Sequence, residues 1–176
     1  MNKKILQIGN PILRQVSGKL SKNEITSQEM NVLKDDLLET LAAQKVGVGI
    51  SAVQIGVLKQ LFLVNIKPSA NRPEIKSSGP KFFFNAKIIK FSKEEVEMTE
   101  GCLSIAEAKL FGKVSRPDKI KLSYQDENAK SHTEEFDGFI SRVIQHEVDH
   151  INGKLFTDIV DLQTLTSDEE MRKNSK

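Results

Sequence analysis

The segment Gln145-His146-Glu147-Val148-Asp149-His150 concentrates the side chains best able to do chemistry in this chain. On a helix, residues four apart project from one face, so His146 and His150 are spaced to grip a single metal ion. Glu147 stands about 100° round the helix from His146, at the edge of that face. It is better placed to reach a metal-bound water than the metal. A divalent ion lowers the pKa of its water toward ~7, and a carboxylate so placed takes and returns the proton. Burial would raise the pKa of Glu147 and suit it to proton transfer near neutrality. The plainer alternative is a pair of satisfied core histidines. It is disfavoured because two unpaired imidazoles inside an apolar helix are costly.

The third ligand decides the class of site. Continuing through Gly153 to Phe156, the spacing follows the long metzincin motif up to its last position, where histidine is required and Phe156 stands. That excludes a metzincin protease. Asp158, Asp161, Glu169 and Glu170 lie in a polar tail with little apolar content to hold them. His132 falls in an expected solvent-facing strand. Cys102, in Glu100-Gly101-Cys102-Leu103-Ser104, remains. Gly101 gives the backbone freedom to approach an ion. A thiolate with two imidazoles leaves one position open, the form of a catalytic site.

The helix carrying the histidines is expected from Asp137, its N-cap, through residues 138–152, with Gly153 as its stop. Phe139, Ile140, Val143, Ile144, Val148 and Ile151 surround it almost completely, which predicts burial. A first helix is expected to open with capping-box spacing at Thr26 and Glu29 and to end by Gly47. Met30, Leu33, Leu37, Leu38 and Leu41 form its apolar face. Residues 47–54 form a glycine-bearing loop before a strand over 61–66. Residues 67–81, with three prolines, are expected as a surface loop. Strands follow over 82–84 and 88–91. Alternation at Ile120, Leu122 and Tyr124, a polar turn over 126–130 and a strand over 132–136 predict a hairpin. The fold class is α+β, with antiparallel β-sheets packed around a central, buried C-terminal helix. Residues 1–176 are expected as one domain, with 157–176 a short polar tail.

Composition narrows the function. The chain has 176 residues, 38% hydrophobic and 28% charged, which suits a globular domain with its own core. No apolar run is long enough to cross a bilayer. Lys3 and Lys4 are not followed by an apolar signal segment, so a cytoplasmic protein is expected. A net charge of +2, dispersed, gives no nucleic-acid motif, and one cysteine excludes an intrachain disulfide.

Three segments together resemble the signature motifs of the peptide deformylases: Gly47-Val-Gly-Ile-Ser-Ala-Val-Gln54, Glu100-Gly-Cys-Leu-Ser104 and Gln145-His-Glu-Val-Asp-His150. They occur in that family's order. Ile8-Gly-Asn-Pro-Ile-Leu-Arg14 and the first helix extend the resemblance to about Phe156. It implies hydrolysis of the N-formyl group from the initiator methionine of nascent polypeptides, releasing formate. By the same resemblance Cys102, His146 and His150 hold the metal, Fe(II) natively, with Zn(II), Ni(II) or Co(II) as substitutes. Glu147 would be the general base. Gln54 and the backbone N–H of Leu103 would donate to the oxyanion, as neutral donors in a dry pocket can. Gly47, Gly49, Ile50, Glu100, Gly101 and Lys109 would surround the bound peptide, with Glu100 and Gln145 also supporting the metal helix. Arg142 and Asp149 are expected as structural ion-pair residues.

The chain departs from the family pattern in places. Ile50-Ser51 stands for Leu-Ala, Ala106 for Pro, Ser141 for Ala, and Lys109 for an Arg whose planar fork Lys lacks. The tail is short and of mixed charge where many members carry a long basic helix, so transient ribosome contact is an open question. Two other readings compete: a broader metallopeptidase or amidase, and a non-catalytic deformylase-like protein.

Overall fold

Ser21 and Glu24 close a capping box, each side chain accepting from the other's backbone N–H, and fix the short α1 (Lys22–Ile25). The start expected at Thr26 moves by one residue. Thr26 is the C-cap of α1, and Ser27 caps α2 (Gln28–Ala42), its Oγ accepting from the Met30 N–H. Two adjacent hydroxyl residues could each cap, and the turn closed by Glu24 leaves the role to Ser27. Met30, Leu33, Leu37 and Leu41 are buried as the periodicity requires, but the helix ends at Ala42, well before Gly47.

The computed structural model describes residues 1–44, 46–68 and 79–174. After α2 come β1 (Gly49–Ser51), β2 (Leu61–Val64), β3 (Lys81–Phe91), β4 (Glu95–Gly101), β5 (Leu110–Pro117), β6 (Ile120–Gln125), β7 (Ser131–Phe136), α3 (Gly138–Ile151), β8 (Thr166–Ser167) and α4 (Asp168–Asn174). The loop expected over 67–81 lies mostly outside the described residues, and Lys81 already belongs to β3.

The strands form two antiparallel sheets, ordered β1-β2-β3-β6-β7 and β4-β5-β8. The expected hairpin is β6–β7, with Tyr124 opposite His132 and Leu122 opposite Glu134. β4 and β5 were not legible as strands. β5 carries Gly112, Lys113, Ser115 and Arg116, a composition in which polar residues obscure the alternation that burial of Val114 and Arg116 creates.

Buried residues of α3, namely Val143, Ile144, Val148 and Ile151, join Phe62, Phe83, Leu122 and Tyr124 of the larger sheet in one apolar cluster. On its other side, Arg142 donates to the carbonyls of Val96 in β4 and Val114 in β5, and Gln145 donates to that of Pro117. The helix is therefore pinned between the sheets. Asp137 occupies its N-cap without a side-chain bond, and Gly153 follows its end at φ +73°. A helix that long, held on two sides, positions side chains more rigidly than a loop could.

Candidate active site

β4 delivers Cys102 to the face of α3 that carries the histidines. The Cys102 Sγ lies 3.2 Å from His150 Nε2, and the donor atoms of Cys102, His146 and His150 all fall within 4.8 Å of one another. Ligands of one tetrahedral ion sit roughly 3.5 Å apart, so a soft thiolate and two imidazoles at this separation suit a single divalent metal. The Ser104 N–H and the Gln54 amide also approach the sulfur, at 3.4 and 3.8 Å. His132 is not in this group; it bonds Asp126 at 2.7 Å in the hairpin. The acids of the tail are absent from it too, and Asp158 instead pairs with Arg14.

Glu100 sits behind the histidines. Its Oε2 lies 3.1 Å from His146 Nδ1, which leaves Nε2 of that ring to face the other ligands. Arg116 donates to both Glu100 oxygens, at 2.7 and 3.1 Å, and Arg142 to Oε1 at 2.6 Å. Arg116 also binds Asp149 at 2.7 Å. Burial opposes ionisation of Glu100, yet the hydrogen bonds from His146 and Arg116 outweigh it and hold the pKa at about 2. A carboxylate so committed orients a metal-binding imidazole, and has no oxygen left for a peptide. Burial lowers the pKa of both histidines. At His146 the bonds to Cys102 and Glu100 reverse the effect, whereas His150 falls well below its usual value and keeps a free lone pair. A metal ion bound at this cluster would take the place of the proton at His146.

Glu147 is buried, and burial lifts its pKa to about 7 against the opposing effects of His146 and Ser51. Ser51 Oγ donates to its Oε2 at 2.6 Å. Gly49 explains why a glycine precedes: a Cβ there would lie 2.5 Å from Glu147 Oε1. Gln54 is fixed on the 310 turn after β1. Its Oε1 accepts from the Ser51 N–H at 2.9 Å, and its Nε2 donates to Ser104 Oγ at 3.0 Å. Among the described residues, no backbone bond from the Leu103 N–H is formed, although its carbonyl accepts from Gln7.

These groups open on a cleft of about 360 Å³. Val46 to Gly49 form one wall, Thr99 to Leu103 the other, and Phe139, Val143, His146 and Glu147 of α3 the floor. Gly47, Gly49, Gly101 and Glu100 line this cleft together, Glu100 with its oxygens turned to Arg116, Arg142 and His146. Ile50 does not: its side chain is fully buried in the core beneath β1. Lys109 stands apart from the lining, exposed and paired with Glu107 at 2.8 Å. Arg116 and Met171 were not singled out in the sequence, and Ser51 only as a departure from the family pattern. The demand of a buried Glu100 for cations was the one signal that could have led to Arg116.

Replacing Ser51 by Ala removes the donor that favours the ionised Glu147. With Glu147 as the expected base, the acid limb of kcat/KM should move to higher pH by about one pH unit. A pH–rate profile of the variant beside the wild type measures this. A limb that stays put or moves to lower pH contradicts it.

The polypeptide deformylase profile matches residues 2–165. A peptide deformylase of Leptospira biflexa is 39% identical over 160 residues, covering 89% of this chain and 86% of the relative. Peptide deformylase 1 of Rickettsia conorii is 37% identical over 153 residues, covering 87% and 84%. Among solved structures, a class I type b peptide deformylase from Acinetobacter baumannii with Met-Ala-Ser bound superposes with a TM-score of 0.84 at 31% identity, covering 91% of this chain and 99% of that one. The peptide deformylase of Thermotoga maritima gives 0.79 at 28% identity, covering 92% and 99%. With its sheets, its central helix and its Cys–His–His cluster in place, the chain belongs to the polypeptide deformylase family of hydrolases, which remove the N-formyl group from nascent peptides.

Proposed function

We propose that Cys102, His146 and His150 hold one divalent ion and that Glu147, Gln54 and the Leu103 N–H act on a formylmethionyl peptide beside it. The observation that carries this reading is a buried carboxylate with a pKa near 7 at the edge of a three-donor metal cluster, on the floor of an apolar cleft. A divalent ion held by Cys102, His146 and His150 would supply Lewis acidity at the site. Glu147 accepts a proton from the attacking water. As oxygen adds to the formyl carbon, the Gln54 amide and the Leu103 N–H donate to the oxygen on which charge develops. Glu147 then returns the proton to the departing nitrogen, the C–N bond breaks to leave a free methionyl amine, and the formic acid released gives up its remaining proton to solvent as formate. β1 is the edge of its sheet, so its outer backbone groups are available to an extended peptide along Gly49 and Ile50. Met-Ala-Ser on the Acinetobacter relative supports a peptide in this cleft.

Fe(II) is our reading of the resident ion, with Zn(II), Ni(II) and Co(II) as substitutes. Affinity order favours zinc over iron at almost any such site, so supply decides loading. Chelation should abolish formate release, and one equivalent of ion per chain should restore it. The Fe(II) form should lose activity in air faster than the Ni(II) form; equal half-lives would count against iron. The substrate also implies a cytoplasmic setting and transient contact with ribosomes. No described helix is long and apolar enough to cross a membrane. Unchanged co-sedimentation with ribosomes after deletion beyond Asp161 would exclude a role of the tail in that contact.

A further inference from the structure

The segment expected as a loose polar tail is fastened along β5. Val160 is buried, and a Cβ on Gly112 would meet its Cγ2 at 2.4 Å, so the Val160 side chain packs directly on the Gly112 backbone. The Asp161 N–H donates to the Lys113 carbonyl at 3.0 Å, and the Lys113 N–H to Thr164 Oγ1 at 2.7 Å. β8 then pairs with β5, Thr166 opposite Phe111 and Ser167 opposite Leu110, and the Asp168 N–H donates to the Lys109 carbonyl at 2.9 Å. These contacts fix where α4 begins and how it is turned. Met171 lines the cleft that Phe111 also lines. Glu169 and Glu170 instead bind Lys173, at 3.1 and 2.9 Å. The family match ends at residue 165, so α4 is a feature of this chain that the match does not cover.

We infer that Met171 is a specificity-determining residue: α4 closes one wall of the cleft and holds the methionine side chain of the formylated peptide against Phe111. The inference rests on the deformylase reading for its substrate. A thioether chain is unbranched and polarizable, and it moulds itself to another flexible apolar chain and to an aromatic edge. Such a contact is made equally in the bound peptide and in the transition state, so it lowers KM without raising kcat.

The test uses full-length, metal-loaded protein with formyl-Met-Ala-Ser and formyl-Gly-Ala-Ser. Met171→Ala should raise KM for the methionyl peptide about five- to tenfold with kcat within about twofold, and Met171→Leu should recover most of the loss. KM for the glycyl peptide should change less than about twofold, because no side chain is there to hold. Leu162→Ala, an exposed tail position outside the cleft, should alter neither. An equal change on both peptides, or none on either, overturns the inference. Calorimetric binding of Met-Ala-Ser and Gly-Ala-Ser provides a readout without turnover. A wild type that binds but releases no formate refutes the deformylase reading, while the two binding affinities still decide the role of Met171.

Discussion

Glu147→Ala is expected to lower formate release from a formylated tripeptide by about 10³-fold, within the 10²–10⁴ that a positioned acid–base contributes. The neighbouring carboxylates Glu100 and Asp149 cannot stand in, because arginines engage them. Metal content should be unchanged, since Glu147 is not among the clustered donors. The substitution also has a stability signature. Burial raises the folded-state pKa from 4.5 to about 7, so the ionised side chain costs stability above that pH and costs nothing below about 4.5. In metal-free protein at pH 8, Glu147→Gln should therefore melt higher than the wild type, by at most roughly 3 kcal/mol, and the gain should vanish as the pH falls below 5. An active Glu147→Ala, or an inactive one that has lost its metal, would contradict the assigned role.

Glu100→Gln should act in the opposite sense on stability. Here the folded pKa is depressed from 4.5 to about 2, which corresponds to roughly 3 kcal/mol of stabilisation. That stabilisation is complete above the unfolded value and is lost as the pH drops from about 4.5 toward 2. The variant leaves Arg116 and Arg142 buried with less than full compensation, a loss of about 3–5 kcal/mol in comparable cases. For a chain of this length that is a fall in Tm of roughly 10 °C at pH 7. The gap to the wild type should narrow in acid. Loss of the negative charge behind His146 Nδ1 should also weaken metal binding, by about 10-fold. Thermal melts across pH and metal competition titrations measure both, and a variant matching the wild type in each would remove Glu100 from the site.

The two carboxylates explain why some of the site was legible in the sequence and some was not. His146, Glu147 and His150 stand on one helix whose apolar residues and flanking Asp137 and Gly153 announce it, so local spacing suffices. Cys102 emerged because every other third ligand failed for a stated reason. What governs the two carboxylates is non-local. Ser51 reaches Glu147 across 96 residues of chain, and Arg142 reaches Glu100 across 42. Neither contact leaves a periodicity. Ser51 was visible only as a departure from the family pattern, and its meaning depended on β1 running beside α3. The tail misled for a related reason. Its composition is polar, but Val160 and Leu165 pack on β5, and backbone bonds that composition does not encode fasten it there.

The most direct measurement is formate production by metal-loaded wild type from formyl-Met-Ala-Ser, beside the unformylated peptide. One equivalent of formate per new methionyl amino terminus, an intact Met–Ala bond and no reaction of the unformylated peptide are expected. Cleavage of the unformylated peptide, or no formate from folded protein with its ion bound, would contradict the deformylase reading.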